Sequence, residues 1–356
     1  MKNLRGKWAG SMWRLPSTVL VGLLGVALVT SCGGGASSDA GAVSVTGVPT
    51  RESIAGKPLS GAITATQGQV IEDKHVTTDT GPCILIPDGV SNVTVRNSEI
   101  GPCGQAGDER ALGIDIHPGA TNITIVRNVI HDVASGIYAR RALHPITVDR
   151  NLIYNIRGPN PRGQAVQFNG VSAGSAASRI VCNLSDLLGA TWSNVEDHIS
   201  MFNSPGLASD RTEIAYNRLR GGSPTSETGS GIMTGDGETG GNIWVHHNTV
   251  VNVGNAGVGI SGGRNVTLEA NRIFLDGQGA RTRIGIVVQN FTADECGDHQ
   301  LTSNRVWAVD VIGANGVPNH KYFAPNCQAG LTLTDNIFGD ATLSASIFNE
   351  VPAACR

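Results

Sequence analysis

Aromatic and charged residues are scarce in this sequence, and long hydrophobic runs are missing. Of 356 residues, 4% are aromatic and 15% are charged, whereas 40% are hydrophobic and 47 are glycine. This apolar content can bury a core, which excludes a disordered chain, but the core must consist mostly of aliphatic side chains. The longest apolar run, residues 19–29, is well short of the ~20 residues that a membrane-spanning helix requires. A bundle of membrane-spanning helices is therefore excluded.

Basic residues are few, and lysine almost disappears after the N-terminus. The first 31 residues hold four of the 26 basic residues and none of the 29 acidic ones, and the later lysines are only Lys57, Lys74 and Lys321. The remaining excess of acids argues against nucleic acid as a partner, because its binding relies on basic side chains. No CxxC pair occurs, so the sequence does not predict a structural zinc site.

The N-terminus has the layout of a secretory signal peptide. Basic residues up to Arg14 precede the apolar run, and two small residues then lead to Cys32. Residues 29–32 resemble a bacterial lipobox, in which the Cys is acylated and becomes the mature N-terminus. The Gly33 that follows the Cys resembles the residue at this position in lipoproteins that are sorted to an outer membrane. The alternative is an ordinary signal peptide with a Cys there by chance.

Three segments follow from this interpretation. We expect residues 1–31 to be a lipoprotein signal peptide, residues 32–58 a flexible tether rich in Gly, Ser and Ala, and residues 59–356 the folded domain. The protein would be exported and would contact a membrane only through the lipid on Cys32.

A repeat runs through the folded domain from residue 93 onward. Two β-branched or Leu residues at alternate positions are followed by a small polar residue and by another apolar residue two positions later. The polar residues are Ser98, Asn128, Asn151, Asn183, Asn217, Asn248, Asn271, Asn304 and Asn336. Their spacing of 23 to 34 residues is typical of a solenoid. The asparagines could stack as an amide ladder at a bend, or could be ordinary turn residues.

A second pattern falls between these polar residues. Short stretches of alternating apolar residues follow a glycine in most coils, as at Ile114 and Ile116 or Val258 and Ile260. A period of two indicates strands, so each coil has at least two. Together the two patterns resemble the right-handed parallel β-helix of the pectate-lyase-like superfamily over about residues 60–345.

The resemblance implies an all-β solenoid of about ten coils. Residues 196–263 are similar to a group of bacterial β-helix repeat proteins. The superfamily includes polysaccharide lyases, hydrolases and epimerases, and also tailspikes and non-catalytic adhesins, so the fold does not decide the function. We expect a polysaccharide as the partner, bound either by an enzyme or by a non-catalytic binding or adhesion module.

Six cysteines follow Cys32, and an even set suggests disulfides in an exported protein. Proximity in the repeat favours the pairs Cys83–Cys103 and Cys296–Cys327. Cys182–Cys355 is then only the remainder, because six cysteines allow about 15 connectivities.

Polar residues of the second pattern predict a patch on the outer surface. If the apolar residue that opens each strand points inward, the residues one before, one after and three after it point outward. Adjacent coils lie ~4.8 Å apart, so these residues should form one patch over about four coils. The patch comprises Asp115, His117, Tyr138, Arg140, Gln167, Asn169, His198 and Ser200, with Glu196 beside His198 and Arg162 on a loop that would wall it. The alternative is an ordinary polar strand face in contact with solvent.

The patch favours chemistry on a uronate-containing polymer. A lyase must neutralise the sugar carboxylate, remove the adjacent proton and protonate the leaving oxygen. Arg140 or Arg162 would neutralise the carboxylate, and His198 or Tyr138 would transfer the proton, because no lysine falls in the patch. The other members would bind substrate. Hydrolysis is less favoured, because it needs two carboxyls about 5–10 Å apart and the neighbours Glu196 and Asp197 should diverge.

Other groups give weaker signals. The acids Asp236 and Glu238, and Asp294, Glu295 and Asp298, could hold Ca²⁺ or could be ordinary acidic turns, since neither set has the spacing of an EF-hand loop. Three aromatic residues, Trp192, Trp244 and Phe202, could stack on sugars or cap the solenoid. His246 and His247 have no evident third ligand.

Overall fold

Short parallel strands recur along the chain and stack into three sheets. The computed structural model describes residues 47–159, 161–187, 196–223, 228–278, 280–293, 295–313 and 316–356. The three sheets are named A, B and C, and each coil passes through them in the order B, C, A. The strand pairs are parallel except where strand Val317–Pro318 meets strand Arg305–Asp310.

Sheet A contains β1 (Leu59–Ser60), β4 (His75–Thr78), β7 (Glu99–Cys103), β10 (Val129–Val133), β13 (Leu152–Ile156), β16 (Leu184–Asp186), β19 (Arg218–Arg220), β22 (Thr249–Val251), β25 (Arg272–Leu275), β29 (Arg305–Asp310), β30 (Val317–Pro318) and β33 (Ile337–Phe338). Sheet B contains β2 (Ile63–Thr64), β5 (Ile84–Ile86), β8 (Ile114–Ile116), β11 (Ile137–Arg140), β14 (Val166–Asn169), β17 (Ile199–Phe202), β20 (Ser230–Asp236), β23 (Ala256–Ile260), β26 (Ile284–Val288) and β31 (Lys321–Phe323). Sheet C contains β3 (Val70–Glu72), β6 (Thr94–Arg96), β9 (Ile123–Val126), β12 (Ile146–Asp149), β15 (Arg179–Val181), β18 (Thr212–Ala215), β21 (Gly241–His246), β24 (Gly263–Glu269), β27 (Cys296–Gly297), β28 (Gln300–Thr302) and β32 (Thr332–Thr334).

Helices are short. The described residues contain one α-helical turn, α1 (Arg51–Ile54), and the 3₁₀ helices Pro325–Cys327, Ala345–Asn349 and Ala353–Cys355. Within these residues no helix is long and apolar enough to cross a membrane. The strand arrangement confirms the predicted right-handed parallel β-helix, and the ten strands of sheet B match the expected number of coils.

Aliphatic side chains fill the space between the sheets, as the scarcity of aromatic residues predicts. The inward column of sheet B consists of Ile84, Ile114, Ile137, Val166, Ile199, Ile232, Val258 and Ile286, none more than 1% exposed. Such columns let each coil bury its apolar face against the next one, which is how a solenoid obtains a continuous core.

The asparagine ladder predicted from the repeat is present between sheets C and A. The Nδ2 group of Asn217 donates to Ile180 O at 2.8 Å and to Asn248 Oδ1 at 2.9 Å, and its backbone N–H donates to Asn248 Oδ1 at 3.0 Å. The pattern recurs from Asn128 to Asn304. The residue before each ladder position has positive φ, such as Tyr216 at 58°, which turns the chain sharply.

Both ends of the described chain cover the outer face of sheet A. Thr50 and Ser53 form a capping box on α1, and Ile54, 3% exposed, packs against Val129 and Leu152. Near the C-terminus, Ile347 and Phe348 pack against Val251. The predicted tether boundary at residue 58 is therefore too late, because an apolar side chain and a cap hold residues 50–54 on the solenoid.

The three disulfides Cys83–Cys103, Cys296–Cys327 and Cys182–Cys355 confirm the two favoured pairs and the remainder. The last one ties the C-terminal segment to the bend between sheets C and A, because Cys182 has the positive φ of that bend.

Candidate functional site

An open cleft with a volume of about 560 Å³ lies on the outer face of sheet B. Its floor includes Leu85, Asp115 and Tyr138, which are in register on the adjacent strands β5, β8 and β11. Its other lining residues are Thr80, Gly81, Pro82, Glu109, Arg110, Leu112, His117, Arg140 and Arg162. Five predicted site residues, Asp115, His117, Tyr138, Arg140 and Arg162, thus share one cleft.

His117 lies between two carboxylates and a guanidinium. Its Nδ1 is 3.0 Å from Asp88 Oδ1, and its Nε2 is 3.1 Å from Asp115 Oδ2 and within hydrogen-bond distance of Arg140 Nη2. A guanidinium can only donate, so the neutral ring accepts from Arg140 at Nε2 and donates from Nδ1 to Asp88. Nε2 could donate to Asp115 only if Arg140 Nη2 moved away, because two donors cannot share one contact. Arg140 and Asp115 therefore compete for this nitrogen.

Asp115 is the most constrained group in the cleft. It is 7% exposed, and its Oδ2 also lies 3.4 Å from Arg140 Nη2. Its Oδ1 is buried without a hydrogen-bond partner, as is Arg140 Nε. An unpaired buried polar atom costs about 1–3 kcal/mol.

Tyr138 forms the centre of a second group. The Arg162 guanidinium lies 4.0 Å from the centroid of its ring, and Arg162 Nη1 donates to Gln167 Oε1 at 3.0 Å. Asn169 Nδ2 donates to the Tyr138 hydroxyl at 3.2 Å, which leaves the hydroxyl proton free to be donated. Gln167 and Asn169 thus support the cleft without being among its lining residues.

The predicted outward orientation of His198 is wrong. The glycines that share its position leave room for aliphatic side chains of sheet A, since a Cβ added at Gly136 would lie 3.1 Å from Ile153 Cγ2. This column therefore points inward. His198 is 1% exposed, its Nδ1 is 2.8 Å from Ser185 Oγ and its Nε2 is 2.8 Å from Gly221 O.

Ser185 explains why an imidazole fits there. It occupies the inward column of sheet A that elsewhere holds Ile153, Leu219 and Val250. A serine in place of an aliphatic side chain vacates volume, and the His198 ring uses it. Burial lowers the pKa of His198 to about 4, so the ring is a neutral core residue.

Ser200 and Glu196 lie away from the cleft. Ser200 is 2% exposed and contacts Asp197, so its hydroxyl is not on the open surface. Glu196 is half-buried, and its Oε1 accepts from Thr228 Oγ1 at 3.0 Å. Neither residue lines the cleft that holds Asp115.

Glu196 belongs instead to a carboxyl cluster with Asp197 and Asp236. Burial raises the pKa of Asp197 to about 8, against a hydrogen bond from Ser230, and burial also raises the pKa values of Glu196 and Asp236. A β-bulge between β17 and β20 brings Asp236 opposite Phe202. The sequence left open whether Asp236 is a Ca²⁺ ligand or part of an ordinary acidic turn, because it stands between two glycines.

Two of the acids considered for calcium binding have other partners. Asp298 pairs with Arg264, and Asp236 Oδ1 accepts from the Gly237 N–H at 3.1 Å, whereas Asp294 lies outside the described residues. Among the residues that the structure covers, the only cluster with metal-ligand geometry is Cys296, His299 and Cys327.

That cluster is closed to a metal. His299 Nδ1 accepts from the Val266 N–H at 3.3 Å, so the ring proton is on Nε2, which lies 3.5 Å from both sulfurs. The sulfurs are joined as a disulfide, and metal ligation requires thiolates and a free imidazole nitrogen.

Comparisons with known proteins agree with this architecture. A family model described as "Right handed beta helix region" matches residues 60–273, more than half of the chain. No curated protein matches the sequence.

Several solved structures are similar. The surface adhesin PfbA of Streptococcus pneumoniae is 15% identical, with a TM-score of 0.43, over 69% of this chain and 64% of that one. The enzymatically active domain of tailspike protein 2 from bacteriophage CBA120 is 13% identical, with a TM-score of 0.48, over 78% and 42%. A family 28 exopolygalacturonase of Yersinia enterocolitica is 11% identical, with a TM-score of 0.43, over 78% and 68%.

The chain spans less than two thirds of the length of the first two of these proteins. Identities this low do not carry an activity from one protein to another, because one fold hosts many functions. The family model, the three parallel sheets and the asparagine ladder concern the architecture, and on that evidence the chain belongs to the right-handed β-helix family.

Proposed function

We propose that this protein binds an acidic, uronate-containing polysaccharide in the sheet B cleft and acts on it by lyase or epimerase-type chemistry. The observation that carries the proposal is the contact of Arg140 with both Asp115 and His117 among the residues that line the cleft. A carboxylate can accept from a sugar hydroxyl, and a guanidinium can donate to a sugar oxygen. The open cleft and the parallel strands beneath it suit an extended polymer.

The cleft has the charge that a uronate requires. Arg110, Arg140 and Arg162 line it and outnumber the two lining acids, Glu109 and Asp115. Guanidinium groups are well suited to binding carboxylates. Neutralising the sugar carboxylate acidifies the adjacent C–H bond and stabilises the charge that develops on proton removal. Arg140 is the best placed of the three, because it also contacts Asp115 and His117.

His117 takes the role of base in this proposal, in place of the buried His198. Its neutral Nε2 accepts the proton once Arg140 turns from it to the sugar carboxylate, and Asp88 and Asp115 then stabilise the imidazolium. In a lyase the electron pair of the broken C–H bond forms a C=C bond, the glycosidic C–O bond breaks, and Tyr138 protonates the leaving oxygen. In an epimerase the same carbanion is reprotonated from its other face. Non-catalytic binding in the same cleft is the competing outcome.

The test uses polygalacturonate, alginate and glucuronan. We expect one of them to yield an unsaturated or epimerised uronate, followed by ultraviolet absorbance and proton NMR. His117→Ala should abolish turnover while affinity is largely retained. Arg140→Ala should weaken binding by roughly 10- to 100-fold, since a hydrogen bond to a charged group contributes about 1.5–3 kcal/mol.

Arg96→Ala on sheet C is the matched control, because it removes the same charge from an exposed position paired with Glu72. If it weakens binding as much as Arg140→Ala, the attraction is nonspecific and the cleft is not the site. Binding of a polymer without any turnover would favour the adhesion module.

We also propose that the protein is an exported lipoprotein held to a membrane through Cys32. Cys32 and the signal-like segment before it lie outside the described residues, so the sequence pattern alone supports this. Cys32→Ser should move the protein from the membrane fraction to the soluble fraction without changing its melting temperature. Continued membrane attachment of the variant would contradict the lipid anchor.

A further inference from the structure

A column of threonines runs along the outer face of sheet C and is interrupted at three consecutive coils. In register, the residues are Thr94, Thr124, Thr147, Arg179, Glu213, Trp244, Thr267, Gln300 and Thr332. The interruption replaces small uniform side chains by a guanidinium, a carboxylate and an indole. These three residues lie on the consecutive strands β15, β18 and β21, and Gln300 on β28 is a separate departure from threonine.

A cleft coincides with this interruption. It has a volume of about 380 Å³ and is lined by Arg179, Ala208, Ser209, Asp210, Arg211, Glu213, Trp244 and Asn265. Four of these residues, 208–211, belong to the connection between β17 and β18 and form one wall. This volume falls within the range of about 300–1,000 Å³ that is usual for small-molecule sites.

Trp244 is held in a fixed orientation at the cleft. Its ring stacks on His246 with 3.9 Å between centroids, and its indole N–H donates to Glu269 Oε2 at 2.9 Å. His246 is held in turn by Glu213, with 2.9 Å between Nε2 and Oε1. A half-buried aromatic ring fixed from two sides offers an apolar contact surface without losing conformational entropy on binding.

The charges around Trp244 neutralise one another. Arg179 lies 3.0 Å from Glu213 Oε2 and 3.4 Å from Asp210 Oδ1. Arg211 donates to Thr267 Oγ1 at 2.8 Å, and its guanidinium is 5.7 Å from the Trp244 ring centroid. Two cations and two carboxylates line the cleft, so it offers polar atoms of both kinds but no net charge to an ionic ligand.

We propose that this cleft is a second saccharide site, which binds a neutral sugar unit against Trp244. A pyranose combines an apolar face of C–H groups, which can pack on the indole, with a rim of hydroxyls that donate and accept. Paired carboxylates and guanidinium groups satisfy such a rim, whereas a polyanion would meet as much repulsion as attraction. The inference goes beyond the proposed function, because the site lies on another sheet and has a different charge balance.

The test compares the two faces of the solenoid. Binding of galactomannan, xyloglucan and mixed-linkage β-glucan to the full chain is measured by affinity electrophoresis and calorimetry. We expect one of them to bind, and Trp244→Ala to weaken that binding at least tenfold. Arg211→Ala should weaken it as well, which guards against a Trp244 variant that folds poorly. The sheet B variant Arg140→Ala should bind the neutral polymer as the wild type does.

Thr124→Ala is the matched control, since it alters the same column four coils from Trp244. The proposal is overturned if the wild type binds none of these neutral polymers, or if Trp244→Ala and Arg211→Ala bind like the wild type. Retention only of peptides on a mixed array would also overturn it. Because Arg140→Ala is scored separately on acidic polymers, failure here leaves the sheet B proposal untouched.

Discussion

Replacing Asn217 by leucine should lower the free energy of unfolding by about 2–6 kcal/mol. The substitution removes a side chain that donates to Ile180 O and Asn248 Oδ1 and accepts from both nitrogens of Asn183. Each buried polar group left without a partner costs about 1–3 kcal/mol. At least two such groups remain in the Leu variant, and the apolar leucine side chain does not offset their cost. Urea unfolding followed by circular dichroism measures the effect.

Asn349→Leu is the matched control, because Asn349 is exposed at the end of the C-terminal 3₁₀ helix Ala345–Asn349. We expect it to change stability by less than about 0.5 kcal/mol, as most surface substitutions do. Similar unfolding midpoints for the two variants would show that the ladder contributes little.

The Asp197→Asn variant should gain stability relative to the wild type as the pH rises from about 4 to about 8. Burial raises the pKa of Asp197 to about 8 in the folded chain, against an ordinary value near ~3.9. Between these values the folded state holds a proton that the unfolded state has released, so wild-type stability falls as the pH rises. The slope from this one group is about 1.4 kcal/mol per pH unit.

The difference between the two proteins isolates this carboxyl, because the other titrating groups are common to both. Burial lowers the pKa values of His198 and His299 to about 4, and these rings act in the opposite sense, costing stability as the pH falls below ~6.5. The measurement is urea unfolding of both proteins at half-unit steps of pH. A constant difference across this range would mean that Asp197 is ionised in the folded state.

The misplacement of His198 shows where a one-dimensional pattern stops being informative. Period-two alternation assigns a residue to a face only while the chain stays extended, and position 198 precedes β17, where the chain enters from the bend. The column of glycines there looked like a bare outer surface. These positions are glycine because sheet A comes close to them, since a Cβ at Gly257 would lie 2.5 Å from Ile273 Cγ2.

The contact of Asp88 with His117 and the grouping of the carboxyl cluster also could not be predicted from the sequence. Asp88 lies in the connection after β5 and reaches His117 through space, 29 positions away in the chain. Asp236 comes opposite Phe202 only because a bulge shifts the register of β20. Neither the contact nor the shift in register follows from a regular spacing in the sequence.

The sequence by itself determined the architecture, because a solenoid is built from local, repeated rules. Alternating apolar residues define strands, a small polar residue marks each bend, and every coil repeats the same solution, so the fold class, the ladder and two disulfides followed from spacing. Which polar side chains meet was decided by the tertiary structure. Side chains at bends and in loops are positioned by neighbouring coils and by residues far away in the chain, as the Ser185 hydroxyl holds His198 and as Asp88 and Arg140 hold His117.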